Sequence, residues 1–140
     1  MLDFVPNLID GRDAPAASGE WIDKLRPTDG TLLCRVARSG AGDIGEAVDA
    51  TRAAQPEWAE RTPVERGEIV RELALLLRER REEASEIVAA ETGKPPELAF
   101  GETDAAVEMG LFVAGEGRRS YGRTTTASMK HRTVLTTRQP

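Results

Sequence analysis

Two residue types that commonly serve as nucleophile or general base occur once each in this chain, as Cys34 and His131. Cys34 lies in an alternating strand pattern with Arg35 as its only near charge, which favours a buried structural thiol over a reactive thiolate. His131 has no neighbouring acid to activate it and lies in a basic segment that we expect to be exposed. A single Cys with a single His excludes the usual zinc ligand set, so no metal site is predicted.

Two further candidates involve charge. Gly93-Lys94 could bind an anion, but it follows a predicted helix, and the C-terminal end of a helix disfavours anions. A capping role for Gly93 is therefore the favoured interpretation. Glu102 is either a functional carboxylate or the edge of an apolar helix stripe, and the edge is favoured. The residues alone predict no catalytic and no cofactor-binding residue.

The composition is typical of one soluble globular domain of 140 residues. A net charge of −5 predicts no attraction to nucleic acid or to an anionic membrane. The segment after Glu116 runs against this charge, because it has six basic residues and no acid: Arg118, Arg119, Arg123, Lys130, Arg132 and Arg138. A contact with a polyanion is one interpretation of this segment, and a basic edge facing solvent or an acidic partner surface is the favoured one.

The predicted location is the cytoplasm. The first residues lack the basic start and apolar run of a signal peptide, and no apolar stretch approaches membrane-spanning length. A single cysteine excludes an internal disulfide, and this suits a reducing compartment.

Periodicity and turn signals predict an α+β fold in which strands flank a helical middle. Residues 1–40 form a short antiparallel meander of strands and turns, with a tight turn at Asp10-Gly11. Residues 123–129 are rich in turn signals. Residues 130–138 form a C-terminal strand for which the sequence shows no partner.

Three helices are predicted between these strands. The first covers 43–60 and begins at Asp43, which is placed as the N-cap. The second covers 62–93, with Thr62 as N-cap, Pro63 at its first position and one apolar stripe along its length. The third covers 96–117 and contains Gly101, Gly110 and Gly115, each unfavourable by roughly 1 kcal/mol relative to alanine. Close approach of another backbone or of a ligand would explain them.

Four short motifs follow one another in the order Ile9-Asp10-Gly11 with Trp21, then Arg26–Gly30, Glu91–Pro95 and Arg138–Pro140. The third, Glu-Thr-Gly-Lys-Pro, matches in full a segment of the aldehyde dehydrogenase superfamily. The first resembles that family's Ile-Asn-Gly…Trp start. The second resembles its Asn-Pro-Ala-Thr-Gly turn, with Arg26 and Thr28 as departures. The last resembles the Arg-x-Pro before its first dinucleotide-fold strand. Nearly the whole chain is covered.

The resemblance implies the N-terminal portion of an enzyme that oxidises an aldehyde to a carboxylic acid with NAD or NADP, as a partial piece of an α/β fold. It also implies a small aldehyde as substrate and a homo-oligomer for the intact parent. The family's asparagine, glutamate and nucleophilic cysteine segments would follow Pro140. Cys34 is therefore not that nucleophile, and the chain alone is predicted to be inactive and to bind no cofactor.

In this family the third helix lines part of the substrate tunnel, so the resemblance suggests Ala105, Met109 and Phe112 as lining residues. The alternative for these three is ordinary core packing against the second helix. A different function is a non-enzymatic helical module that pairs with another subunit through its C-terminal strand. Both functions leave apolar stripes of the second and third helices exposed, which predicts a sticky or loosely packed isolated chain.

Overall fold

The computed structural model describes residues 3–139 and shows mixed α+β architecture, as the sequence predicts. Five short strands precede four helices, and two strands follow them. The strands are β1 Phe4–Val5, β2 Asn7–Ile9, β3 Arg12–Ala14, β4 Trp21–Leu25, β5 Leu32–Ala37, β6 Arg123–Thr126 and β7 Thr133–Thr136. The helices are α1 Ala41–Glu60, α2 Pro63–Glu79, α3 Arg81–Thr92 and α4 Pro96–Gly115, followed by a 3-10 turn, Glu116–Arg119.

The N-terminal strands do not form the single antiparallel meander that was predicted. β2 and β3 form a separate hairpin, whose turn residues Asp10 and Gly11 both have positive φ, at 52° and 70°. This conformation is the one that tight two-residue hairpins require. β4 pairs antiparallel with β5, but β1 joins the other edge of β5 in parallel, giving the order β1-β5-β4. The sequence pattern of short strands cannot show which neighbours pair.

The first helix begins two residues earlier than predicted, at Ala41, and Asp43 is not its N-cap. Gly40 takes that position, and Asp43 lies in the first turn, where its Oδ2 accepts a hydrogen bond from the Gly40 N–H at 2.7 Å. Its Oδ1 accepts a second bond at 2.8 Å from the N–H of Ala17. Asp43 therefore joins α1 to the loop before β4, and it is buried, with 7% of its surface exposed.

The predicted helix over 62–93 is divided into α2 and α3 at Arg80, which has φ −101° and ψ 20°. An unbroken helix would place Arg80 on the apolar stripe. At the break its guanidinium instead donates two hydrogen bonds of 2.8 Å to the Glu83 carboxylate. Both predicted ends are confirmed: Thr62 Oγ1 accepts from the Glu65 N–H at 3.2 Å, and Gly93 has the left-handed φ of 72°.

The core lies where α4 packs against α2 and α3, and small residues build it. Ala74 of α2 and Ala99 and Val107 of α4 are buried. A polar pair joins α3 to α4, where the hydroxyls of Ser85 and Thr103 lie 3.1 Å apart. Thr103 in turn donates to the Ala99 carbonyl at 3.0 Å, so this buried pair has its hydrogen-bonding groups satisfied.

The C-terminal strand is shorter than the predicted 130–138 and has a partner within the chain. β7 pairs antiparallel with β6, with Arg123 opposite Thr136 and Thr126 opposite Thr133. The threonine run of β6, assigned from sequence to turns, is β-branched and suits a strand. The sequence placed His131 in the predicted strand, but it lies in the turn between β6 and β7 with a positive φ of 61°.

Across the described residues, no helix combines the length and apolar character that crossing a membrane would need.

Candidate functional site

The main candidate surface is the side of α4 that faces away from α2 and α3. We call it the outer face of α4, and it comprises Leu98, Glu102, Ala105, Met109 and Phe112, spaced three or four residues apart. All five residues are exposed, and the exposed fractions are 64% for Leu98, 61% for Met109 and 63% for Phe112. Ala105, Met109 and Phe112 thus share one face, as the tunnel prediction requires.

Core packing against α2 and α3 does not explain Ala105, Met109 and Phe112. The residues of α4 that pack inward are a different set, Ala99, Thr103, Val107 and Gly110. A helix that buries its small residues and exposes its large apolar ones is suited to contact a second apolar surface. The outer face can bind an apolar group, but by itself it supplies no nucleophile.

Charges lie at both ends of this face. Near its start, the Lys94 ammonium forms an ion pair with the Glu102 carboxylate. This ion pair links α4 to the turn between α3 and α4. Near its end, the Arg119 guanidinium lies over the Phe112 ring at 5.7 Å from the centroid and also pairs with Glu116 at 2.6 Å. The middle of the face, at Ala105 and Met109, is apolar.

A second apolar surface lies over the break between α2 and α3. It is an open groove of about 270 Å³ lined by Leu73, Leu76, Leu77, Arg80, Glu83, Ala84 and Ile87. Its floor comes from the predicted apolar stripe, and its charged members are the Arg80–Glu83 pair. The groove and the outer face of α4 are the exposed stripes that the sequence predicted for these helices.

The turn at Gly93-Lys94 packs against the turn near the N-terminus. A Cβ placed on Gly93 would lie 3.1 Å from Cγ of Pro27 and 3.4 Å from Cγ2 of Thr28. Two of the sequence motifs, Arg26–Gly30 and Glu91–Pro95, are therefore in contact. This contact, together with the left-handed φ, supports the capping interpretation of Gly93 over anion binding.

The reactive candidates lie in separate elements. Cys34 is in the middle of β5 with 5% of its surface exposed, as expected for a structural thiol. His131 is exposed in the turn of the β6–β7 hairpin. Across residues 3–139 no group of three or more His, Cys, Asp or Glu side chains is arranged to hold a metal ion.

The sequence did not reveal two glycine contacts that set the position of the outer face. A Cβ on Gly67 would lie 2.5 Å from the Ala114 carbonyl oxygen, and one on Gly117 would lie 2.3 Å from that of Pro63. The start of α2 and the end of α4 can approach only because these residues lack side chains. A glycine in a predicted helix signals in the sequence that another backbone can approach closely, but it does not identify which segment approaches.

Comparison with known proteins decides what this arrangement belongs to. The sequence profile described as "Aldehyde dehydrogenase family" matches residues 14–140. The chain belongs to the aldehyde dehydrogenase family. It is 33% identical over 133 residues to the succinate-semialdehyde dehydrogenase [NADP(+)] GabD of Escherichia coli (strain K12), covering 95% of this chain and 28% of that protein.

Solved aldehyde dehydrogenase structures share the fold. The lactaldehyde dehydrogenase of Escherichia coli superposes with a TM-score of 0.87 at 29% identity, covering 94% of this chain and 28% of that one. PnpE in complex with nicotinamide adenine dinucleotide superposes with a TM-score of 0.84 at 29% identity, covering 89% of this chain and 26% of that one. This aldehyde dehydrogenase family chain thus spans between a quarter and a third of the length of these relatives, within their N-terminal portion.

Proposed function

We propose that this chain forms the N-terminal part of an NAD(P)-dependent aldehyde dehydrogenase that oxidises a small aldehyde to a carboxylic acid in the cytoplasm. The observation that carries the proposal is the family match over residues 14–140. Its relatives include an NADP(+)-dependent dehydrogenase and a structure with bound nicotinamide adenine dinucleotide. In the intact enzyme that dinucleotide would accept the hydride from the substrate.

Nothing described in this chain fits such a cofactor. A pyrophosphate is usually held by a glycine-rich turn between a parallel strand and a helix. Within residues 3–139 the only parallel pairing is the two-residue contact of β1 with β5. Gly40-Ala41-Gly42-Asp43-Ile44-Gly45 at the start of α1 has the Gly-x-Gly-x-x-Gly spacing, but the Asp43 carboxylate already accepts the Gly40 N–H there and would repel a pyrophosphate. We therefore assign no cofactor contact to these residues and propose that the chain alone does not oxidise aldehydes.

The part proposed for this chain is to form one wall of the substrate passage. The outer face of α4 is apolar around Ala105 and Met109, and such a surface stabilises the alkyl part of an aldehyde by removing it from water. Lys94–Glu102 and Arg119–Phe112 lie at its two ends. The Lys94–Glu102 contact favours a fixed position of α4 relative to the turn after α3, and so a fixed wall.

An absorbance assay tests the proposal that the chain alone is inactive. The purified chain is mixed with NAD or NADP and a panel of aldehydes, and NADH or NADPH formation is followed, with Escherichia coli GabD and succinate semialdehyde as positive control. No signal is expected from the chain. Turnover that depends on the nicotinamide would show that this proposal is wrong.

A chimera tests the wall. Residues 14–139 replace the matching segment of GabD, and kcat/KM is measured for a short and a longer aldehyde. In an active chimera, Met109→Ala and Phe112→Ala should change the ratio of the two kcat/KM values by about 10-fold, the size expected for lost apolar contacts. Glu108→Ala, on an adjacent exposed position of α4, is the matched control and should leave the ratio unchanged. Equal ratios in all variants would contradict the assignment.

The exposed hairpin favours a second candidate function, binding to another subunit. All eight residues of β6 and β7 are exposed, and an open strand edge can pair with a further strand. In the intact parent this pairing would join subunits into a homo-oligomer. Size-exclusion chromatography of the chain alone and mixed with an intact relative tests it, and a monomer that ignores the relative would exclude it.

A further inference from the structure

Polar and charged side chains make directional contacts between α3 and α4. Arg81 and Ser85 lie about one turn apart on α3. The Arg81 guanidinium lies 4.9 Å from the centroid of the Phe100 ring and pairs with the Asp104 carboxylate at 3.6 Å. The Ser85 hydroxyl lies 3.1 Å from the hydroxyl of Thr103. The three residues of α4 that are held in this way lie within little more than one helical turn.

The hydroxyl pair is buried and is bound on both sides. Ser85 has 7% and Thr103 has 4% of its surface exposed. Thr103 donates to the Ala99 carbonyl at 3.0 Å, so Ser85 is the donor toward Thr103. The Ser85 Oγ also lies 2.6 Å from the Arg81 carbonyl oxygen, and its one proton is shared between these two acceptors. Because a hydrogen bond weakens steeply away from its preferred angle, this pair resists a rotation of α4 against α3.

The other core contacts of α4 are small and apolar. Ala99 and Val107 are buried, and Gly110 meets the Ala74 methyl group of α2 without a side chain of its own. The burial of apolar surface is a non-directional force, and a glycine has nothing to interlock with the facing helix. These contacts therefore fix the distance between α4 and α2 more firmly than the rotation of α4 about its own axis.

The side of α4 that contacts α3 lies opposite to the outer face. At 3.6 residues per turn, Phe112 is about 180° from Thr103 around the helix, and Ala105 is about 200° from it. The ends of long side chains lie about 5 to 6 Å from the helix axis, so a rotation of about 10° moves the end of Met109 by about 1 Å. A functional surface has to be held to about 0.5 Å and about 10 to 20°. A rotation of this size is therefore large enough to matter.

We propose that Arg81 and Ser85 are positioning residues: through Phe100, Thr103 and Asp104 they set the rotation of α4 and thus the direction of its outer face. The side chains of the Arg81–Asp104 pair are 44% and 48% exposed, and exposed pairs add little stability, so this pair contributes geometry. The consequence for aldehyde selectivity rests on the proposed function of the outer face as a wall of the substrate passage. The rotation itself does not depend on that function.

Spin labels measure the orientation of α4 in the purified chain. Cys34, the single cysteine, is replaced by Ala, and labels are attached at Glu86→Cys on α3 and Met109→Cys on the outer face, both at exposed positions. Double electron–electron resonance gives the distribution of distances between the labels. Thr103→Val removes the hydroxyl at nearly constant volume and should shift the mean distance by about 1 Å or more, or broaden the distribution. Thr103→Ser keeps the hydroxyl and should preserve the original distribution.

Arg81→Gln is the second variant, at a half-buried position where the fold depends less on the side chain. It should change the distance distribution as Thr103→Val does. Unchanged distances in both variants would overturn the proposal. Glu102→Gln removes the ion pair with Lys94, and a change in this variant alone would assign the orientation of α4 to that pair and would also overturn the proposal.

Two controls separate a change of orientation from a general loss of stability. Thr51→Val makes the same chemical change on α1, where the hydroxyl bonds only to the Ala47 carbonyl. Thr62→Ala removes the N-cap of α2 and lowers stability without touching the contact between α3 and α4. Both controls should leave the label distances unchanged. Distances that change in every destabilised variant would show that Thr103 has no specific positioning role.

The GabD chimera tests the consequence for the substrate. Thr103→Val and Arg81→Gln should each change the ratio of the kcat/KM values for the short and the longer aldehyde several-fold, because a shift of about 1 Å displaces the wall. Thr62→Ala should leave the ratio unchanged. A ratio that responds to Met109→Ala but to neither positioning variant contradicts the positioning role and leaves the wall in place. A ratio that responds to none of them contradicts the wall, and the label distances then decide the positioning role by themselves.

Discussion

Gly110 of α4 lies so close to Ala74 of α2 that a Cβ on Gly110 would come within 2.9 Å of the Ala74 Cβ. Ala74 is buried, and its own methyl group fills the space where Gly110 lacks a side chain. The close approach predicted for the glycines of this helix is thus confirmed at Gly110. At Gly101 no atom lies within 4 Å of the added Cβ.

Gly110→Val is expected to destabilise the chain by about 1 to 3 kcal/mol, because the added carbons must separate α2 from α4. Urea unfolding followed by circular dichroism measures the free energy. Gly101→Ala is the matched control in the same helix. It has open space and is expected to stabilise the chain by up to about 1 kcal/mol. Equal effects of the two substitutions would contradict the packing described here.

Asp43→Asn should lower the Tm at neutral pH, because the side chain loses a charge and one of its two acceptor oxygens. The N–H groups of Gly40 and then of Ala17 hold the pKa of the Asp43 carboxyl below its usual value. A carboxyl with a lowered folded-state pKa stabilises the fold above its unfolded-state pKa, and the contribution is lost as the pH falls through the folded-state pKa. The Tm difference between wild type and variant should therefore shrink below about pH 4.

Asp49→Asn provides the comparison for Asp43, because it makes the same chemical change on the same helix at an exposed side chain. Its Tm should stay within about 1 °C of wild type at neutral pH, as for most surface substitutions. Thermal melts between pH 3 and pH 7, monitored by circular dichroism, measure both variants. A Tm difference for Asp43→Asn that does not change with pH would exclude the charge-assisted role.

Thr62→Ala should destabilise the chain by about 1 kcal/mol, the usual effect of removing a helix N-cap. The Thr62 hydroxyl accepts the Glu65 N–H, and the Glu65 carboxylate accepts the Thr62 N–H at 2.7 Å. Thr51→Ala, inside α1 and exposed, removes a hydroxyl that bonds only to the Ala47 carbonyl one turn earlier. Urea midpoints compare the two, and a Thr51→Ala effect as large as that of Thr62→Ala would argue against a specific capping contribution.

The isolated chain is expected to bind a hydrophobic dye, since the groove and the outer face of α4 leave large apolar side chains exposed. Leu73→Gln and Met109→Gln should each lower the dye fluorescence, because each removes apolar surface from one of the two regions. Glu72→Gln, exposed beside Leu73, should leave the fluorescence unchanged. A sharp cooperative melt with no dye binding would contradict exposed apolar faces.

Local signals in the sequence predicted much of this fold. Thr62 and Gly93 mark ends of the helical region because cap geometry depends on residues only a few positions apart. The Asp10-Gly11 turn is local for the same reason. The Glu91–Pro95 motif identified the family, which the match over residues 14–140 confirms.

Features set by distant contacts were not predictable in this way. The link from Asp43 to the loop before β4 was missed because its second partner, Ala17, is 26 residues away. The partner of β7 was missed because the threonines of β6 form a strand only when a neighbour supplies the pairing. The break at Arg80 coincides with a side-chain pair to Glu83, and periodicity shows neither.

The candidate site was predictable only through the family. The spacing of Ala105, Met109 and Phe112 is the same for a core stripe and for an exposed one, so periodicity left both open. Their exposure argues against core packing, and the tunnel role remains a prediction.

The contact of Gly93 with Pro27 and Thr28 has a consequence for dividing this chain. The loop after α3 is supported by a turn that the chain formed some 65 residues earlier, and Asp43 links α1 to the loop before β4 in the same manner. A gene cut between β5 and α1 would remove both of these contacts at once. The two halves should therefore not survive as separately expressed modules, and co-expression would be needed to recover either.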